Sequence, residues 1–151
     1  MQHSRIAGFS LFEMLVAIGL IGILAAIAFP SFAAYTTPFR VQSAGREVYS
    51  ALQDVRQQSI TRGRRTRFQI SGQDSYTLLW EDGNTWRTIR GPLKLDKDVR
   101  VVSSGGDLTF QPRGTVSPMT TLTISDSTNP EHRLVISVPI TGLIRIREGG
   151  G

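Results

Sequence analysis

Glu13 is the one charged residue between Phe9 and Phe29, a run of 21 residues otherwise apolar except for Ser10. An acid at such a position costs on the order of 2.5–3.5 kcal/mol on translocon scales, so a plain anchor has no reason to keep it. The other side chains with chemistry to offer are guanidiniums. Arg62, Arg64, Arg65 and Arg67 fall within six residues, and Arg145 and Arg147 lie two apart near the end of the chain. The first group can be read as favourable cations at a helix C-terminus or as part of a polyanion site. The second, on a strand, would point both side chains to one face.

Catalytic constellations are missing from the sequence. There is no cysteine, and the only histidines are His3 and His132, so neither a thiol nucleophile nor a Cys- or His-based metal cluster can be assembled. Asp96, Asp98, Glu81 and Asp82 are too sparse for a calcium loop and read as turn residues. No glycine-rich phosphate loop or nucleophile elbow occurs. Trp80 and Trp86 flank a hairpin turn; packing against neighbours explains them more simply than stacking of single-stranded bases. No catalytic residue, metal site or cofactor is therefore expected. The formal charge of +5 is carried almost wholly by arginine, since only Lys94 and Lys97 are lysines. A basic balance of this size suits polyanions such as DNA or anionic lipids without requiring either.

The elements that must position these residues follow from the pattern. As a helix, the 21-residue run would be roughly 31 Å long, about one bilayer core. A secretory signal peptide would have a shorter apolar core and no use for Glu13, although Ala25-Ala26-Ile27-Ala28 resembles its cleavage site. A plain single-pass anchor remains the competing reading. Gly22 and Pro30 mark where this helix would bend or melt. Ser31 to Arg40 reads as a junction, with a break expected at Thr37-Pro38. From Val41, apolar residues recur at three and four (Ala44, Val48, Leu52, Val55, with Ala51 and Ile60), predicting an amphipathic helix that stops near Arg62-Gly63. Strands are predicted at Thr66–Ser71, Tyr76–Trp80, Thr85–Ile89, Val99–Ser103, Asp107–Gln111, Thr121–Ser125, Leu134–Val138 and Leu143–Arg147. One long helix on antiparallel sheet makes an α+β fold.

A polar leader ending in Gly8-Phe9, one acid five residues into the apolar run, and the length of that run together resemble the N-terminal signal of type IV pilins and pseudopilins. The remainder is similar to the GspH/FimT branch. The carriers are Leu52-Gln53-Asp54-Val55-Arg56-Gln57-Gln58-Ser59-Ile60-Thr61-Arg62-Gly63, Leu108-Thr109-Phe110-Gln111-Pro112-Arg113-Gly114, and Leu134-Val135-Ile136-Ser137 with Gly142-Leu143-Ile144-Arg145-Ile146-Arg147. The family's Ala-Arg-x-x-Ala-Ile phrase stands here as Val55-Arg56-Gln57-Gln58-Ser59-Ile60, both alanines changed.

The resemblance implies a pilin-like fold, cleavage by a prepilin peptidase after Gly8, N-methylation of Phe9, and pairing of Glu13 with the N-terminal amine of a neighbouring subunit. It divides the chain into a leader at 1–8, a transmembrane and filament-core helix at 9–30, a periplasmic amphipathic half with junction at 31–63, a β-rich domain at 64–148 and a flexible tail at 149–151. The implied function is that of a minor pilin or pseudopilin, in the inner membrane with its N-terminus cytoplasmic, then in a pilus or pseudopilus whose tip it initiates or caps. Partners would be other pilins, the peptidase, the assembly platform and the membrane. In FimT-type pilins a C-terminal Gly-Arg-x-Arg motif goes with DNA capture. Arg145-Ile146-Arg147 keeps the arginine pair but the glycine is displaced to Gly142, so DNA binding, with Arg62, Arg64, Arg65 and Arg67 as further candidates, is the alternative expectation.

Overall fold

The computed structural model of the chain describes residues 10–149, with side chains described throughout except at 28–37. It begins with a 52-residue helix, α1 (Leu11–Arg62), and the chain separates into two compact units, Met1–Thr36 and Thr37–Gly151. The expected break at Thr37-Pro38 does not occur: helical structure runs through Pro30 and Pro38 alike. Each proline removes one backbone donor, and the remaining ladder carries the chain past it. In the first unit every described side chain from Leu11 to Ile27 is exposed. Among the described residues no helix is long and apolar enough to cross a membrane. The apolar run 9–29 begins at Phe9, outside those residues, and its side chains at 28 and 29 are not described.

In the second unit α1 buries Val41, Ala44, Val48, Leu52, Val55 and Ser59, each three or four residues from the last. Ile60 falls outside this stripe and stays 42% exposed, because Ser59, not Ile60, continues the spacing. A serine fits there because its hydroxyl lies 2.7 Å from the Arg56 carbonyl and 3.0 Å from the Gln111 carbonyl, so burial leaves no unpaired group. The helix ends as its glycine predicts. Gly63 adopts φ +60°, its N–H donates to the Ile60 carbonyl, and the Arg64 N–H reaches back to Ser59. This 6→1 and 5→2 pair satisfies the last carbonyls of the helix.

Among the described residues nine strands follow: β1 (Thr66–Ile70), β2 (Ser75–Asp82), β3 (Thr85–Lys94), β4 (Val99–Ser103), β5 (Leu108–Phe110), β6 (Val116–Ser117), β7 (Thr120–Asp126), β8 (Arg133–Val138) and β9 (Arg145–Gly149). They form two antiparallel sheets, ordered β3-β2-β1-β5-β6 and β4-β7-β8-β9. β6, only two residues long, escaped the sequence reading. β9 begins two residues later than expected, and Gly149, read as the start of a flexible tail, is its last residue, opposite Arg133. The remainder of that tail, 150–151, lies outside the described residues. The alternating inward residues Phe68, Leu78, Leu108 and Phe110 of the first sheet and Val101, Leu122, Ile124, Leu134 and Ile136 of the second form one core with the helix stripe.

Tyr76 shows how a polar atom is accommodated at the edge of this core. Its ring stacks on Phe68 with centroids 4.8 Å apart, and its hydroxyl donates to Glu47 of α1 at 2.9 Å. Burial first, then the hydrogen bond to and charge of Glu47, push the phenol well above its ordinary value. The neutral form is thus the one the fold favours. Stability from this source is complete below about pH 10, the ordinary tyrosine value, and falls as pH rises beyond it. Tyr76→Phe should lose this alkaline sensitivity; unfolding in urea between neutral and strongly alkaline pH, compared with wild type, checks it.

Candidate functional site

The described helix opens at the acid singled out in the sequence. Ser10 immediately precedes α1, and its hydroxyl accepts the Glu13 backbone N–H at 3.2 Å. Ser10 is therefore the N-cap and Glu13 the third helical residue, the Ser-x-x-Glu spacing of a capping box, where a carboxylate also complements the helix dipole. The spacing was legible as a cap signal and went unread. Gly8 and Phe9 lie outside the described residues. Gly22 has open space around it, and Pro30 is helical, its side chain outside what is described.

The first arginine group is not one site. Arg62 is exposed in the last helical turn. Arg64 lies over the Trp80 ring at 5.0 Å and 3.4 Å from Asp82, which also pairs with Arg87 at 2.7 Å. Arg65 makes two hydrogen bonds to the Glu81 carboxylate, Nε at 2.6 Å and Nη2 closer still, and Glu81 holds that guanidinium even more firmly protonated than usual. Arg67 stacks on Trp86 at 3.9 Å and donates to Thr109. Register sets Arg67 opposite Leu79, with Thr66 and Phe68 on the other side of the sheet. Three of the four arginines are thus engaged by carboxylates or indoles, which explains both tryptophans as packing surfaces for cations.

Arg145 and Arg147 are exposed on β9 and share a face, as their spacing requires. The register extends that face to two residues the sequence reading missed. Arg100 of β4 stands opposite Ser125, which stands opposite Arg133, which stands opposite Gly149. The next rows run Val102, Thr123, Val135, Arg147 and then Thr121, Ser137, Arg145. All four arginines therefore occupy the outer face of the second sheet. Strand alternation predicts that Arg100 and Arg133 point outward, but only the pairing of distant strands puts them beside Arg145 and Arg147.

A third assembly is built from backbone. Arg56 Nε donates to the Gly114 carbonyl at 3.2 Å, Gly114 takes φ +78° under Ile60, and Gly142, at φ +73°, comes up against the same carbonyl. The Val116 N–H bonds the Ile140 carbonyl at 2.9 Å nearby. Three stretches far apart in the chain, those of the helix, the β5–β6 turn and the β8–β9 connection, are tied together at this point.

Comparison with known proteins bears directly on this arrangement. The family model described as Type II transport protein GspH matches residues 44–142, about two-thirds of the chain, and that for the prokaryotic N-terminal methylation motif matches residues 3–29. No match was found among curated proteins. Solved structures share the fold. The type IV minor pilin FimU of Pseudomonas aeruginosa aligns at 20% identity and TM-score 0.62, covering 71% of this chain and 87% of that one. The minor pseudopilin EpsH of the Vibrio cholerae type 2 secretion system aligns at 15% identity and TM-score 0.64, covering 74% and 99%. The GspH match takes in the helix stripe from Ala44 onward, the Arg56–Gly114–Gly142 knot and the strands β1 to β8, and the methylation-motif match takes in Glu13 and its cap. The chain belongs to the GspH family of type II transport proteins.

Proposed function

We propose that this chain is a minor subunit of a pilin-like filament, a type II secretion pseudopilus or a type IV pilus, and that it initiates or caps the filament at its tip. A protein of this family is a structural subunit, not an enzyme, and works by assembling with other pilin-like chains. The observation that carries the proposal is the pairing of a methylation-motif match at residues 3–29 with a GspH match at residues 44–142. The similarity to FimU and EpsH, both described as minor subunits, supports low copy number.

In this reading a prepilin peptidase removes 1–8 after Gly8 and Phe9 is N-methylated. Residues 9–30 hold the precursor in the inner membrane, N-terminus cytoplasmic, until the assembly platform moves them into a filament core. Gly22 and Pro30 are where that helix yields, 31–63 continues it into the periplasm, and 64–148 is the displayed domain. The test is localisation of a gold-labelled chain on sheared filaments. Label confined to one end is the expected result, and label spread along the shaft would overturn the tip assignment.

A second reading, a DNA-binding subunit for uptake in natural transformation, is favoured by the arginine face of the second sheet. It transfers the candidate contacts from Arg62, Arg64, Arg65 and Arg67, which are largely engaged, to Arg145, Arg147 and their neighbours.

A further inference from the structure

We infer that Arg100, Arg133, Arg145 and Arg147 form one phosphate-backbone binding surface on the outer face of the second sheet, which holds duplex DNA by its backbone and reads no bases. The inference rests on the DNA-binding reading and supplies its contact set and mode.

Four observations carry it. The outward positions of β4, β7, β8 and β9 bear, besides these arginines, only Val, Thr, Ser and Gly, so no carboxylate competes for the guanidiniums. The acid of β9, Glu148, lies on the opposite parity and accepts from Gln42 of α1 at 2.8 Å. The ion pairs among the described residues belong to Arg40, Arg64, Arg65 and Arg87, and to none of these four. Finally, the Arg133 side chain lies over Gly149, where a Cβ would collide with it, so Arg133 joins the β9 column above Arg147 and Arg145.

Along that column the cations repeat every two residues, about 6.7 Å, comparable to successive phosphates on one nucleic-acid strand. Arg100 stands three strand spacings across the sheet, about 14 Å, positioned for a second strand. No aromatic ring occupies the face, so the base stacking that single-strand binders rely on is missing. The tryptophans sit on the first sheet beneath Arg64 and Arg67.

The experiment is fluorescence anisotropy of a short random-sequence duplex, and of its single strand, with the full chain in neutral detergent. Four phosphate contacts predict a slope of log K against log salt of about −3.6, a loss on the order of 100-fold between about 50 and 200 mM. Duplex should bind at least as tightly as single strand. R100Q/R133Q should reduce the slope by about two, as should R145Q/R147Q, while R100K/R133K keeps most of the affinity and covers any folding defect of the glutamine variants. If R100Q/R133Q and R100K/R133K both bind like wild type while R145Q/R147Q is weakened, the four-arginine surface is overturned and the DNA reading stands. A preference for single strand above tenfold overturns the backbone mode. If wild type binds neither DNA, or every variant binds equally, the DNA reading falls with it.

Discussion

Gly142→Ala should destabilise the second unit by about 3 kcal/mol or more, the largest effect expected of any single methyl group added to this domain. Two costs combine there. The residue sits at φ +73°, where an L side chain pays about 1–2 kcal/mol of backbone strain, and its Cβ would land on the Gly114 carbonyl oxygen, which already accepts from Arg56. Backbone cannot swing away as a flexible side chain can. Gly83 and Gly114 grade the result. Gly83 has φ +64° and open space, so Gly83→Ala should cost the strain alone. Gly114, at φ +78°, would meet the half-exposed Ile60 side chain and the Arg56 guanidinium, side chains that can shift, so its alanine variant should fall between. Thermal unfolding of residues 37–151 reads all three. For a domain of this size about 3 kcal/mol lowers Tm by roughly 10 °C or more. Gly142→Ala melting beside Gly83→Ala would show that the knot is not tight.

The same knot shows what the sequence could and could not disclose. Periodicity was enough for local structure: the helix stripe from Val41, the Gly63 stop and eight of the nine strands, of which β3 runs on to Lys94 rather than stopping at Ile89. It was enough because each reports a single face against a single core. Ile60 was misassigned because hydrophobicity favoured it, whereas the geometry of a three-four repeat favours Ser59, whose hydroxyl hydrogen bonds make burial cheap. Thr37-Pro38 was taken for a break because proline is costly in isolation, yet one missing donor does not end a 52-residue ladder.

Nothing local, however, links Arg56 to Gly114 and Gly142, 58 and 86 residues downstream, or Arg100 to Arg133. These relationships are properties of strand order, β4-β7-β8-β9 in the second sheet, and strand order is set by which pairings bury the core best. The partners of the first arginine group were hidden for the same reason. Arg65 and Glu81 are 16 residues apart, and only the β1–β2 register makes them a pair. Charge clusters in sequence therefore overstate a site when the opposing strand carries the counter-charges. They understate it when cations from three strands of one sheet converge on a face without acids.

Glu13→Ala should leave membrane insertion intact and lower incorporation into filaments by roughly 100-fold or more. In the proposed filament Glu13 pairs with the Phe9 amine of a neighbouring subunit. Removing one member of a buried ion pair strands the other charge, at about 3–5 kcal/mol. The structure adds a competing role, because Glu13 is also the third residue of a helix capped by Ser10. Two further variants separate them. Glu13→Gln retains the helix-start geometry, since glutamine serves at that position, but removes the charge. Ser10→Ala removes the cap, at about 1 kcal/mol, and leaves the carboxylate. If intersubunit charge is what matters, Glu13→Gln should be nearly as defective as Glu13→Ala and Ser10→Ala nearly normal in filaments recovered by shearing. The reverse order, with Ser10→Ala defective and Glu13→Gln normal, would assign Glu13 to the start of its own helix and leave the neighbour's amine to another partner.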